Sequence, residues 1–167
     1  MLFFTDSGPM GETTIDNPKG SIFAIDLGVS MLKPILVEKL AHPSGLALSP
    51  NEKILYVAET FKNRLLKVVI HREGVYYTSV FHQFSGKFGP TALAVDSQGM
   101  IYVARFDFQE CSEDGIISVI NPNTGEVDHE LLIQGCSEIT GLHFAKDDIL
   151  YATESSTNSL LKILIGS

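Results

Sequence analysis

A repeat constrains this chain more than any other feature. Ser44-Gly45-Leu46-Ala47-Leu48 leads to Ile54-Leu55-Tyr56-Val57-Ala58, Thr91-Ala92-Leu93-Ala94-Val95 to Met100-Ile101-Tyr102-Val103-Ala104, and Thr140-Gly141-Leu142-His143-Phe144 to Ile149-Leu150-Tyr151-Ala152-Thr153. The tyrosines Tyr56, Tyr102 and Tyr151 lie 46 and then 49 residues apart, a spacing that suits a four-stranded propeller blade. Helical repeats of that length would show apolar residues at a period of 3.6. Here the apolar runs are short, β-branched and aromatic, and are bounded by Gly, Pro, Asn and Asp, which is how strands read.

The turn chemistry agrees. Ser49-Pro50-Asn51-Glu52-Lys53, Asp96-Ser97-Gln98-Gly99 and Lys146-Asp147-Asp148 separate the paired runs with residues that preset or tolerate turn dihedrals. Third and fourth strands follow over 63–71 with 76–82, and over 115–120 with 126–133. The second pair is joined by Asn121-Pro122-Asn123-Thr124-Gly125. At the ends, 2–5, 21–26 and 35–39 read as a blade without its inner strand, and 158–165 as a third strand with no fourth after it. The expected fold is all-β: one partial propeller over residues 1–167, of fourteen strands or about three and a half blades, with blade pieces near 1–40, 44–83, 90–133 and 139–165. Closed propellers have about four to eight blades, so two blade faces and a strand edge stay open. Missing blades of a longer parent, or a second copy, are expected to cover them.

Composition narrows the partners. Twelve basic against twenty acidic side chains give a net charge of −8, and no Lys/Arg cluster can neutralise a row of phosphates, so nucleic acid is excluded. No apolar run reaches the length of a membrane span, and Leu2-Phe3-Phe4 lacks the basic flank and cleavage pattern of a signal peptide. The setting expected is cytoplasmic and the partner a small molecule. Cys111 and Cys136 have no metal-ligand spacing; a bond between them and two reduced thiols both remain open.

In a propeller the loops entering inner strands and leaving second strands open on one face, around the channel. The first set carries His42, Ser44, Thr91 and Thr140; the second carries Asp6, Glu59, Arg105, Asp107 and Glu154. A rigid β scaffold carries function on such loops, and the competing reading is solvated charges or salt bridges between blades. Ser44 beside His42 is not a nucleophile pair, because there is no Gly-X-Ser-X-Gly elbow and no third group to orient the imidazole. His143 reads as a core histidine.

Phe4-Thr5-Asp6, Pro43-Ser44-Gly45-Leu46-Ala47-Leu48-Ser49-Pro50, Leu55-Tyr56-Val57-Ala58-Glu59-Thr60, Pro90-Thr91-Ala92-Leu93-Ala94-Val95-Asp96 and the 120–125 hairpin resemble successive blades of the gluconolactonase and senescence-marker-protein family. Val57-Ala58-Glu59 with Asn63-Arg64 is also similar to strictosidine-synthase-like propellers. The resemblance implies a six-bladed parent with one divalent cation, calcium or zinc, at the channel mouth, hydrolysing lactones or related esters of a small oxygen-rich molecule. It puts cation ligands at Ser44 and Thr91, where the family carries Asn and Asp. A neutral hydroxyl in place of a carboxylate weakens a calcium site.

Under that reading Asp6 or Glu59 would be the base for an attacking water. Arg105 would clamp a carboxylate or stabilise an oxyanion, or else pair with Asp107 or Glu59. His42, Asp107, Thr140 and Glu154 would contact substrate. The alternatives are a catalytically silent propeller that serves as a binding module, and cation-free chemistry on Glu59 alone.

Overall fold

The structure is a computed structural model that describes residues 1–71, 74–107, 112–145 and 149–165. Those residues form fourteen strands in four antiparallel sheets, plus one 3-10 turn at Thr60–Lys62. The first sheet holds β1 (Leu2–Asp6), β2 (Gly20–Asp26) and β3 (Met31–Leu40). The second holds β4 (Pro43–Leu48), β5 (Ile54–Glu59), β6 (Arg64–Ile70) and β7 (Tyr76–Gln83), and the third β8 (Phe88–Val95), β9 (Ile101–Asp107), β10 (Gly115–Ile120) and β11 (Val127–Ile133). The fourth holds β12 (Ile139–Phe144), β13 (Ile149–Glu154) and β14 (Ser159–Leu164). In each sheet the strands lie in chain order, the meander of a propeller blade. β3 starts four residues before the predicted 35–39 strand. Its Pro34, opposite Phe23, is accommodated because β3 is an edge strand flanked by irregular register.

The cores lie between sheets rather than within them. Ile22, Leu40, Leu55, Val57, Leu66 and Val68 close the first sheet on the second; Tyr56, Ala58, Leu65, Ile101, Val103 and Ile120 close the second on the third; Tyr102, Ala104, Ile117, Val119, Leu150 and Ala152 close the third on the fourth. Both faces of β5 are therefore buried, which is why Leu55-Tyr56-Val57-Ala58 is uninterrupted by a polar residue. Each large aliphatic side chain so enclosed contributes about 1.5–3 kcal/mol.

The inner strands converge until side chains no longer fit between them. A Cβ on Gly45 would stand 2.7 Å from Ala92 Cα of the next blade, closer than two carbons can approach. Turns use the residues the sequence offered. Asp96 Oδ1 accepts from the N–H of Gln98 at 2.9 Å and of Met100 at 2.8 Å, and Gly125 closes the β10–β11 hairpin at φ 74. The 146–148 turn lies outside the described residues.

The outward face of the fourth sheet is bare. Leu160 and Leu164 are 69% and 71% exposed, and Leu2, Met31 and Leu32 are exposed on the first sheet. His143, expected in the core, is exposed on β12, because Leu142 and Phe144 take the side that meets the third sheet. No helix among the described residues is long and apolar enough to cross a membrane.

Candidate functional site

A cleft of about 410 Å³ opens where the inner strands begin, lined by His42, Ser44, Thr60, Thr91, Phe106, Glu138, Ile139, Thr140 and Ser155. Strand register shows why these residues meet. Pro43 pairs with Glu59, Pro90 with Arg105 and Ile139 with Glu154, each just before a register shift. The lining residues flank those three pairs: Ser44, Thr91 and Thr140 follow the inner-strand partner, and Thr60, Phe106 and Ser155 follow the second-strand partner. One position of the repeat thus builds one wall of the cleft per blade.

Of the residues singled out in the sequence, His42, Ser44, Thr91 and Thr140 line the cleft, whereas Asp6, Glu59, Arg105, Asp107 and Glu154 do not. Glu59 is fully buried: Oε1 accepts from Ala41 N–H at 2.9 Å and lies 3.5 Å from Lys62 Nζ, and Oε2 accepts from Arg64 Nε at 2.6 Å. The Glu59-to-Arg64 run is an ion pair across the β5–β6 register.

Glu154 is 3% exposed. Its Oε1 accepts from Glu138 N–H at 2.9 Å and from the amide and hydroxyl of Ser156, and its Oε2 from the amide (2.7 Å) and hydroxyl (2.6 Å) of Thr157. Burial alone would raise this carboxyl. The hydrogen bonds from Ser156, Thr157 and Glu138 outweigh it and hold the pKa down at about 2.

Arg105 turns away from the cleft. Its Nη1 donates to Glu130 Oε1 at 3.0 Å and Ser118 Oγ at 3.2 Å, its Nη2 to Ser85 O at 3.3 Å, and its guanidinium lies 4.6 Å from the centre of the Phe84 ring. Burial lowers its pKa while Glu130 pulls it back up. Asp107 is buried at the end of β9. Asp6 is exposed, with Oδ1 accepting from Gly8 N–H at 2.9 Å.

Hydroxyls tie each blade to the next around the mouth. Thr5 Oγ1 donates to Ser44 O at 2.6 Å, Thr60 Oγ1 to Pro90 O at 2.7 Å and Thr91 Oγ1 to Ile139 O at 2.9 Å. Ser44 and Thr91, the two positions matched to cation ligands, thus sit in joints between blades. Among the described residues Glu138 is the one carboxylate of the lining, and its Oε2 accepts a hydrogen bond from the Ser155 hydroxyl. Calcium takes about six to eight oxygens with several carboxylates, and zinc takes about four ligands dominated by imidazole, thiolate and carboxylate. This lining does not fit either ion, and no group of three His, Cys, Asp or Glu among the described residues could hold a metal. Cys136 is a free, half-buried thiol, while Cys111 lies outside the described residues.

Sequence reasoning missed Thr60, Phe106, Glu138, Ile139 and Ser155. The available signal was the carboxylate–hydroxyl pair ending three second strands, Asp6-Ser7, Glu59-Thr60 and Glu154-Ser155. In the second and fourth sheets the hydroxyl, not the carboxylate, lines the cleft.

Residues 2–156 match the family described as SMP-30/Gluconolactonase/LRE-like region. Lactonase drp35 of Staphylococcus haemolyticus is 32% identical over 109 residues, which are 63% of this chain and 32% of that one. A gluconolactonase from Xanthomonas campestris superimposes with a TM-score of 0.67 at 22% identity, over 91% of this chain and 50% of that one. A calcium-binding regucalcin from Agrobacterium tumefaciens does so with 0.65 at 22%, over 82% and 45%. The chain spans about a third of the length of the curated relatives it matches and about half of these solved propellers.

Proposed function

The chain belongs to the SMP-30/Gluconolactonase/LRE-like family, and on that premise we propose that the cleft binds a small, oxygen-rich lactone or ester and hydrolyses it at the channel mouth. The observation that carries this reading is the lining itself: among the described residues, five hydroxyls, one imidazole and one carboxylate gathered from three blades onto one concave surface. Hydroxyls suit a polyhydroxylated ligand, and Glu138 is the carboxylate of the lining able to take a proton. The Glu138 carboxylate accepts a proton from water as the water oxygen bonds the carbonyl carbon. It returns that proton to the alkoxide released when the ester C–O bond breaks.

Asp6 and Glu59 are less suited to that role, since Glu59 has both oxygens engaged and neither residue lines the cleft. A calcium or zinc ion in a longer form of the protein would draw its carboxylates from outside the described residues, and no step here depends on one. The same longer form, or a second copy, would cover the bare faces of the first and fourth sheets.

The test is hydrolysis of gluconolactone and dihydrocoumarin above the spontaneous rate, followed by pH-stat, for the chain and for Glu138→Gln. Turnover that falls at least about a hundredfold in Glu138→Gln with folding intact supports the reading. Ligand binding without turnover in the unmodified chain would leave a binding module instead.

A further inference from the structure

The side-chain protons around the cleft are almost all committed to the protein. Thr60 Oγ1 donates to Pro90 O at 2.7 Å, and the Ser44 hydroxyl proton is taken up within the same cluster, by Thr60 Oγ1 at 2.7 Å or Pro90 O at 3.3 Å. Thr91 donates to Ile139 O at 2.9 Å, Thr140 contacts Thr153 at O (3.3 Å) and Oγ1 (3.1 Å), and Ser155 donates to Glu138 Oε2. What these five hydroxyls offer a ligand is lone pairs, and the Glu138 carboxylate offers the same. The lining can therefore receive hydroxyl donors in several places, but a carbonyl oxygen needs a proton from elsewhere.

His42 supplies it. Its ring stacks on Phe61 with centroids 4.7 Å apart, and its Nδ1 is buried without a partner. Nε2 makes no hydrogen bond within the described residues, and His42 lines the cleft. A neutral imidazole carries one proton. On Nδ1 it would be a buried N–H with no acceptor, the rarest kind of orphan in folded proteins. On Nε2 it meets a surface of lone pairs. The backbone at this point is held in place: His42 sits at φ 56, a left-handed conformation uncommon for a side-chain-bearing residue, with Thr60 N–H on His42 O at 3.1 Å and Glu59 on the preceding amide.

We propose that His42 Nε2–H is the donor that receives the carbonyl oxygen of the ligand, so that the cleft selects molecules carrying one carbonyl among several hydroxyls. This rests on the lactone reading and extends it: a neutral N–H aimed at that oxygen also stabilises the charge that develops on it when water adds.

Two probes separate the carbonyl from the hydroxyls: gluconolactam, which keeps the ring carbonyl and resists hydrolysis, and anhydroglucitol, which has the ring hydroxyls and no carbonyl. Titration calorimetry should show His42→Phe, which keeps a ring on Phe61, binding the lactam about tenfold more weakly and anhydroglucitol within about twofold of the unmodified chain. His42→Gln, whose amide can donate, should recover part of the loss. Unchanged lactam affinity in His42→Phe, or equal loss for both probes, overturns the assignment of His42 alone. Failure of both probes to bind the unmodified chain overturns the lactone reading and this inference with it. Nitrogen-15 NMR of the His42 ring reads the tautomer without any ligand: a proton on Nε2 and a bare Nδ1 are expected, and the reverse overturns the inference.

Discussion

Glu59 and Glu154 occupy the same place in the second and fourth sheets and do the same mechanical job by different electrostatics. Each ends a second strand, each is buried, and each uses an Oε1 to hold the loop entering its own blade, at Ala41 N–H in one case and Glu138 N–H in the other. Glu59 is balanced by cations, Arg64 across the register and Lys62 beside it. In the fourth sheet the register partner is Ser159, and among the described residues the charge of Glu154 is met only by neutral N–H and O–H donors. A buried carboxylate thus has two routes to satisfaction, and a repeat protein can exchange one for the other while its backbone stays the same.

The largest test of that contrast is Arg64→Ala. It strands a fully buried carboxylate and should cost about 3–5 kcal/mol in urea denaturation; a loss under about 1 kcal/mol would show that Lys62 and the backbone suffice. Glu154→Gln should act through pH instead. The folded carboxyl titrates at about 2 against an ordinary 4.5, so the stability it lends is complete above pH 4.5 and is lost as pH falls towards 2. Urea midpoints measured over that window should fall for the unmodified chain and fall less for Glu154→Gln; parallel curves would refute the hydrogen-bonded account. Placing a cation where the second sheet has one, Ser159→Arg, should change stability by less than about 1 kcal/mol, because Glu154 already has its donors. A clear gain would mean that neutral donors leave it undersatisfied. Lys62→Ala should be the mildest, within about 0.5 kcal/mol, since its ammonium is 3.5 Å away and partly exposed.

The same comparison explains what could be read beforehand. Blade order and the strand pairs were legible because Tyr56, Tyr102 and Tyr151 and the turns before them recur at blade spacing. The cleft at the loops entering β4, β8 and β12 was legible too, through Ser44, Thr91 and Thr140. On the second-strand side the cleft is lined by residues that each follow a charged one singled out. Charge drew attention to Glu59, Arg105 and Glu154, but the residues after them, Thr60 and Ser155 just past their strands and Phe106 within β9, are the ones in the cleft. Only the partners reveal that Arg64, Glu130 and Thr157 had claimed those charges, and partners 5, 25 and 3 residues away carry no common spacing from which to infer them. Glu138 was missed for a similar reason: nothing local distinguishes it from a solvated loop carboxylate.

The bonds from Thr5 to Ser44 O, Thr60 to Pro90 O and Thr91 to Ile139 O run in one direction around the mouth. Each hydroxyl grips the carbonyl at the start of the following blade, so the wedge angle between neighbours is set at the rim as well as by the apolar layers behind it. The cleft therefore has the mechanics of a segmented collar. A ligand that spreads two segments works against the joint between them, and a loss at one joint, such as Thr91→Val, frees the start of the fourth sheet, next to Glu138, from the third.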